Sequence, residues 1–199
     1  MARLHPHPVA LFASTVIIAT VGCFGIVPVA DAATRTVISD FGDRVQGAVL
    51  NVIPPQRAGA IAAEAGLANM NRRWCEVDFQ TFESTRAQYV HVLGDAIQTA
   101  PAMPKSGHMA NQQAKVCAAA VIDLLAGRAP DAQPVVNNTC YSFVSDRDAI
   151  HVASVHAYHA QQKTVLAVPG SGGLSAAASA REAEYALHWA RNIWADTLG

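Results

Sequence analysis

The stretch that most restricts what this chain can fold into is 112–125, its strongest helical pattern. Val116, Ala119, Ala120 and Leu124 recur at helical spacing, and Ile122 and Leu125 widen the apolar face. Gly127 caps the stretch and Pro130 prevents its resumption, so the helix has a defined end. A second amphipathic helix is expected to close the chain over 182–194. Around these two segments the texture is that of short strands. Residues 34–38 and 48–53 are expected as strands on either side of a Phe41-Gly42-Asp43 turn, with Pro54-Pro55 stopping the second. Alanine-rich composition predicts a helix over 58–68. The apolar run 89–93, ending at Gly94-Asp95, reads as a buried parallel strand meeting a loop. Strands are also expected over 139–144 and 150–158, followed by a flexible Gly170-Ser171-Gly172-Gly173 turn. The fold class is therefore mixed, α/β to α+β.

Composition narrows the function. Of 199 residues 51% are hydrophobic and 15% charged, which excludes a disordered charged tail and supplies a core. Lys and Arg number 14 against 15 Asp and Glu, so no basic stripe exists to track phosphates and no nucleic-acid partner is expected. Cys23, Cys75, Cys117 and Cys140 are widely spaced and form no Cys-x-x-Cys pair, so neither a zinc site nor a disulfide-dense domain is indicated. His156 and His159 point to opposite faces of a strand at period two, so no metal site is expected.

The first 32 residues differ from the rest. Arg3 precedes an uncharged run over 9–30 that ends in Ala30-Asp31-Ala32, the small-x-small form of a cleavage site. An export signal, and thus a periplasmic protein, is one reading. An uncleaved anchor is another, because about 20 apolar residues span a bilayer. An artefact of where the reading frame opens is a third.

Three motifs have chemical potential. Val92-Leu93-Gly94-Asp95-Ala96 places Asp95 at the carboxyl end of the expected strand, where a carboxylate can accept bonds from sugar or ribityl hydroxyls while Gly94 lets the backbone approach closely. A plain turn is the alternative. Met103-Pro104-Lys105-Ser106-Gly107 leads into the long helix, whose unpaired N–H groups suit an electron-rich ligand atom. An ordinary N-cap at Ser106 is equally consistent. Asn138-Thr139-Cys140-Tyr141-Ser142 sets Cys140 at the start of a strand, as a redox thiol if a second thiol is in reach, or otherwise as an inert core residue.

Taken in order, these motifs, with Asn51-Val-Ile-Pro-Pro-Gln-Arg-Ala-Gly59, Gln113-Ala-Lys-Val-Cys117 and Gly172-Gly-Leu-Ser175, resemble the flavoprotein subunit of flavocytochrome c sulfide dehydrogenase. That family is related to sulfide:quinone oxidoreductase and to other FAD oxidoreductases with two dinucleotide domains. The resemblance runs from about Val29 to Gly199 and covers the C-terminal part of such a subunit. The chain contains no Gly-x-Gly-x-x-Gly turn for an FAD pyrophosphate. The implied fold is the end of an FAD-binding dinucleotide-type domain plus a small C-terminal α+β flavin-binding or interface domain, with the Rossmann N-terminal half missing. The implied domains are a signal or anchor-like segment over 1–32, the remainder of the oxidoreductase domains over 33–130, and the flavin-binding domain over 131–199.

The resemblance implies FAD as cofactor, with an incomplete site in this chain. Gly94 and Asp95 resemble the ribityl or ribose contacts, and Lys105, Ser106 and Gly107 the loop and helix start under the flavin's pyrimidine edge. Cys140 resembles the second cysteine of the redox disulfide, and Trp189 an aromatic residue near the flavin. The implied activity is oxidation of sulfide to sulfur, with electrons passing through FAD to a c-type cytochrome subunit. The chain has no Cys-x-x-Cys-His haem motif, so the haem would come from that partner, and the N-terminal FAD-binding half from a separate polypeptide. The alternative functions are a non-catalytic fragment or interaction module that keeps the C-terminal fold, and a membrane-tethered accessory protein.

Overall fold

The computed structural model describes residues 16–20, 29–39, 41–53 and 56–199. The chain divides into two compact units, Met1–Gln56 and Arg57–Gly199. In the first, β1 (Val16–Thr20) pairs in parallel with β5 (Val49–Ile53), and β2 (Val29–Asp31), β3 (Thr36–Ile38) and β4 (Arg44–Gln46) form an antiparallel meander. Val, Ile and Thr dominate these strands, as their branched side chains favour extended backbone. The expected strands at 34–38 and 48–53 correspond to β3 and β5. Between β3 and β4, Gly42 turns the chain at φ +87° and donates its N–H to the Ser39 carbonyl at 2.9 Å. Most of the segment read as a signal or anchor, including Arg3 and Cys23, lies outside the described residues, as does Pro54-Pro55; its described parts are β1, β2 and Ala32. No helix among the described residues is long and apolar enough to cross a membrane.

The second unit is α+β. Its first helix, α1, covers only Ala60–Glu64, shorter than composition suggests, because Gly66 takes a left-handed φ of +70° and ends it. The next forty residues are mainly loops and isolated bridges. The expected strand at 89–93 does not form. Tyr89 is 82% exposed with φ +63°, Val90 is also exposed, and one antiparallel bridge, Glu83 to His91, flanked by the Ser84–Val90 and Val92–Phe82 backbone bonds, ties the run to 82–84. An apolar run becomes a strand only where a neighbour takes up its backbone groups over several residues, and here the pairing with 82–84 ends after one bridge. It leads instead into one turn of 3₁₀ helix, Gly94–Ala96.

Helix α2 spans Gly107–Leu125, five residues earlier than its apolar pattern indicates, because Ser106 caps it with its side chain accepting the Met109 N–H at 3.0 Å. Four antiparallel strands follow. Strand β6 (Val135–Phe143) lies on one side of β7 (Ala149–His159), and β8 (Thr164–Ala167) and the two-residue β9 (Gly173–Leu174) share its other side. Helix α3 (Ala180–Leu198) closes the unit, capped by Ser179 through the Glu182 N–H. Both α2 and α3 pack on the sheet, and Phe82, Ile97, Met103, Met109, Val136 and Val165 form the apolar core that joins α2 to it. The register sets Asn138 opposite Ser154 and Cys140 opposite Val152.

Candidate functional site

The first two turns of α2 are where the separated motifs meet. Gly94 packs against them in a conformation only glycine adopts readily: φ is +71°, and a Cβ there would stand 3.3 Å from Ala110 Cβ. Its N–H donates to Oε1 of the buried Gln113 at 2.7 Å. Gln113 thus fixes the Gly94-Asp95-Ala96 turn to the helix, which explains why a glutamine sits on an otherwise apolar face. The Asp95 carboxylate is exposed and has no hydrogen-bond partner among the described residues.

Lys105 closes the same turn from the other side. Its ammonium donates to the carbonyls of Asp95 and Ile97, each at 2.7 Å, and lies 3.8 Å from the centroid of the Trp74 ring. Burial holds its pKa below the ordinary lysine value, and the nearby Asp95 charge offsets part of that effect. The structure therefore gives Lys105 a clamping position within the protein. Beyond it, the N–H groups of Gly107 and His108 have no partner among the described residues, as expected for a helix start.

Strand β6 reaches this helix start through Asn138, a residue the sequence did not single out for a role in the site. Its buried side chain accepts a hydrogen bond from the Ser106 hydroxyl, and its amide donates to Cys140 Sγ at 3.4 Å. One asparagine thereby links the helix cap to the thiol, two positions along the same face of the strand. Cys140 is partly exposed, whereas Cys75 and Cys117 are buried, and all three are free thiols. Cys117 lies on α2 within the core, where burial pushes its thiol pKa up.

His108 makes the next connection. The Thr139 N–H donates to its Nδ1 at 2.8 Å, so the neutral ring carries its proton on Nε2. The ring meets Trp189 of α3 edge-on at 5.6 Å, and Trp189 in turn touches Tyr141 at 5.7 Å. Trp189 Nε1 is a buried donor without a partner among the described residues. Tyr141 stands 5.7 Å from the His151 ring, whose Nδ1 is shared between Glu182 at 2.7 Å and Ser175 Oγ at 2.9 Å. The bond from His151 holds the Glu182 carboxyl below its usual range. This pair ties α3, and with it Trp189, to β7.

Gly94, Asp95 and Lys105 thus form one cluster, while Ser106, Gly107, Cys140 and Trp189 form a second around the start of α2. The two meet at the Lys105–Ser106 peptide. Asn138, His108 and Gln113 hold them together, across sequence separations of 19 to 32 residues. No spacing rule relates residues that far apart. The one available signal was that Asn138 and Gln113 stand inside the motifs that carry the family resemblance.

Residues 132–198 match the family model for the flavin-binding domain of flavocytochrome c sulphide dehydrogenase. The C-terminal part of the chain is a domain of that kind, and FAD is the cofactor the match supports. Among solved structures, reduced Bacillus anthracis CoADR-RHD is similar at 16% identity and a TM-score of 0.36. That similarity covers 65% of this chain and 30% of the other, so this chain spans less than a third of that protein's length.

Proposed function

We propose that this chain supplies the Cys140 side of the flavin site in a sulfide-oxidising flavoprotein whose electrons pass to a c-type cytochrome. The observation that carries the reading is the meeting of Ser106, Gly107 and Cys140 at one helix start, with Asn138 between cap and thiol. The residues fit a flavin's ribityl and pyrimidine end. Asp95 offers an unpaired carboxylate for a hydroxyl, Gly107 and His108 offer unpaired N–H groups, and Trp189 offers an orphaned indole donor. The pyrophosphate end lacks a Gly-x-Gly-x-x-Gly turn in this chain.

In this reading hydrosulfide attacks a disulfide formed by Cys140 and a cysteine from outside the described residues. The S–S bond breaks, one sulfur keeps the added sulfur as a persulfide, and the other leaves as a thiolate bearing the electron pair. FAD, when bound, accepts two electrons and releases them singly. Asn138 orients the Cys140 sulfur, and the helix start favours negative charge in front of it. Export to the periplasm through residues 1–32 fits a soluble cytochrome partner.

The experiment is anaerobic reduction of cytochrome c by sulfide with the full chain in excess FAD. Reduction that Cys140→Ser abolishes supports the proposal. Equal rates with and without the Cys140 thiol refute it. The absence of any reduction by a chain that binds FAD favours the non-catalytic module.

A further inference from the structure

His108 joins the start of α2 to β6 and α3 but was marked by no motif. It follows Gly107 in the first turn of α2, accepts the N–H of the residue before Cys140, and sets its ring edge against Trp189. We infer that His108 is a positioning residue: its neutral ring pins the Cys140 strand and Trp189 to the start of α2, and gaining a proton on Nδ1 releases that pin.

The geometry makes the contact conditional on charge. A backbone N–H can donate to Nδ1 only while that nitrogen holds a free lone pair, and protonation turns the acceptor into a second donor facing Thr139. The 2.8 Å contact then becomes a clash of like donors, and either the ring turns or the strand moves. Turning the ring also disturbs the edge contact with Trp189. Burial, and then the Lys115 ammonium on the same helix, hold the His108 pKa below the ordinary histidine value. From β6 the ring meets the Thr139 backbone, next to the titratable Cys140 and Tyr141. From α3 it meets Trp189, beside His188 and one turn after Tyr185. No carboxylate among the described residues forms an ion pair with His108, and the small opposing effect of the Thr139 backbone is outweighed by burial and Lys115. The site is therefore in its assembled form above the His108 pKa and loosened below it.

The inference rests on the flavin-site reading only in calling this contact functional. The experiment runs without flavin, so each can fail alone. In the full chain, two-dimensional NMR follows the His108 ring, the Thr139 amide and the Trp189 indole N–H from pH 8 downward, an interval chosen to bracket the ordinary histidine value of about 6.5. All three should shift with one midpoint, below the ordinary value. In His108→Gln, which keeps an acceptor for Thr139 but cannot titrate, the Thr139 and Trp189 shifts through that midpoint should vanish. Lys115→Gln, which removes the Lys115–Asp196 pair between α2 and α3 but neither the Thr139 bond nor the Trp189 contact of His108, should raise the common midpoint. A Thr139 amide that stays still while His108 titrates overturns the proposal, as does a midpoint indifferent to Lys115.

Discussion

Cutting the link between Ser106 and Asn138 gives the most quantitative check on how the site is built. Asn138 is 3% exposed and makes two side-chain hydrogen bonds, to the Ser106 hydroxyl and to Cys140 Sγ. Asn138→Ala removes both, worth roughly 1 kcal/mol each, and leaves a small void, for a total of about 2–4 kcal/mol. Ser106→Ala removes the N-cap of α2, about 1 kcal/mol, and the same bond to Asn138, about another 1 kcal/mol. Since one bond is lost in both single variants, the double variant should be less destabilised than their sum by about 1 kcal/mol. Urea unfolding of the full chain, followed by tryptophan fluorescence, measures all three. Additivity to within about 0.5 kcal/mol would refute the idea that cap and strand form one unit.

Other consequences are equally direct. His156 is fully buried and burial lowers its pKa, so the fold keeps it neutral. Stability should be complete above the unfolded histidine value of about 6.5 and fall as acid moves through the lowered folded value. His156→Gln should flatten that slope in urea unfolding at a series of pH values; an unchanged slope counts against it. Gly172→Ala places a Cβ 2.5 Å from the Ala153 carbonyl oxygen and should cost about 1–3 kcal/mol, whereas a loss below about 0.5 kcal/mol would mean that β9 moves aside freely. Under native conditions iodoacetamide should label the partly exposed Cys140 before the buried Cys117, and equal protection of both would make Cys140 merely structural.

Much of this architecture is legible in the sequence, for local reasons. Helix α2 has an apolar face and a Gly127 stop, and β6 and β7 have branched and aromatic residues, so each announces itself within a short window. The misread stretch is 89–93. Its apolar content suits a strand, but its pairing with 82–84 stops at one bridge, because Tyr89 takes a left-handed φ of +63° and faces solvent with Val90. The site divides in the same way. Gly94, Ser106 and Gly107 could be read from turn and cap chemistry, and Cys140 and Trp189 from family motifs. Lys105 could be placed in the loop, but its inward clamp on the Asp95 and Ile97 carbonyls depends on Trp74, about thirty residues upstream. Asn138 and His108 join the site through partners on other elements, Ser106 and Thr139 respectively. The Gly172-Gly-Leu-Ser175 motif gains its physical meaning from the sheet: Gly172 lies against the Ala153 carbonyl, and Ser175 Oγ accepts the His151 N–H at 2.8 Å.

The central claim is that one end of FAD sits at the start of α2 beside Cys140, held without a pyrophosphate turn. NMR titration of the full chain with FAD tests it most directly. Binding should be weak, and the resonances of Gly107, His108, Cys140 and Trp189 should move together while those of Leu125, at the far end of α2, stay fixed. Tight, stoichiometric binding would contradict the incomplete site, and shifts confined to other residues would contradict its location.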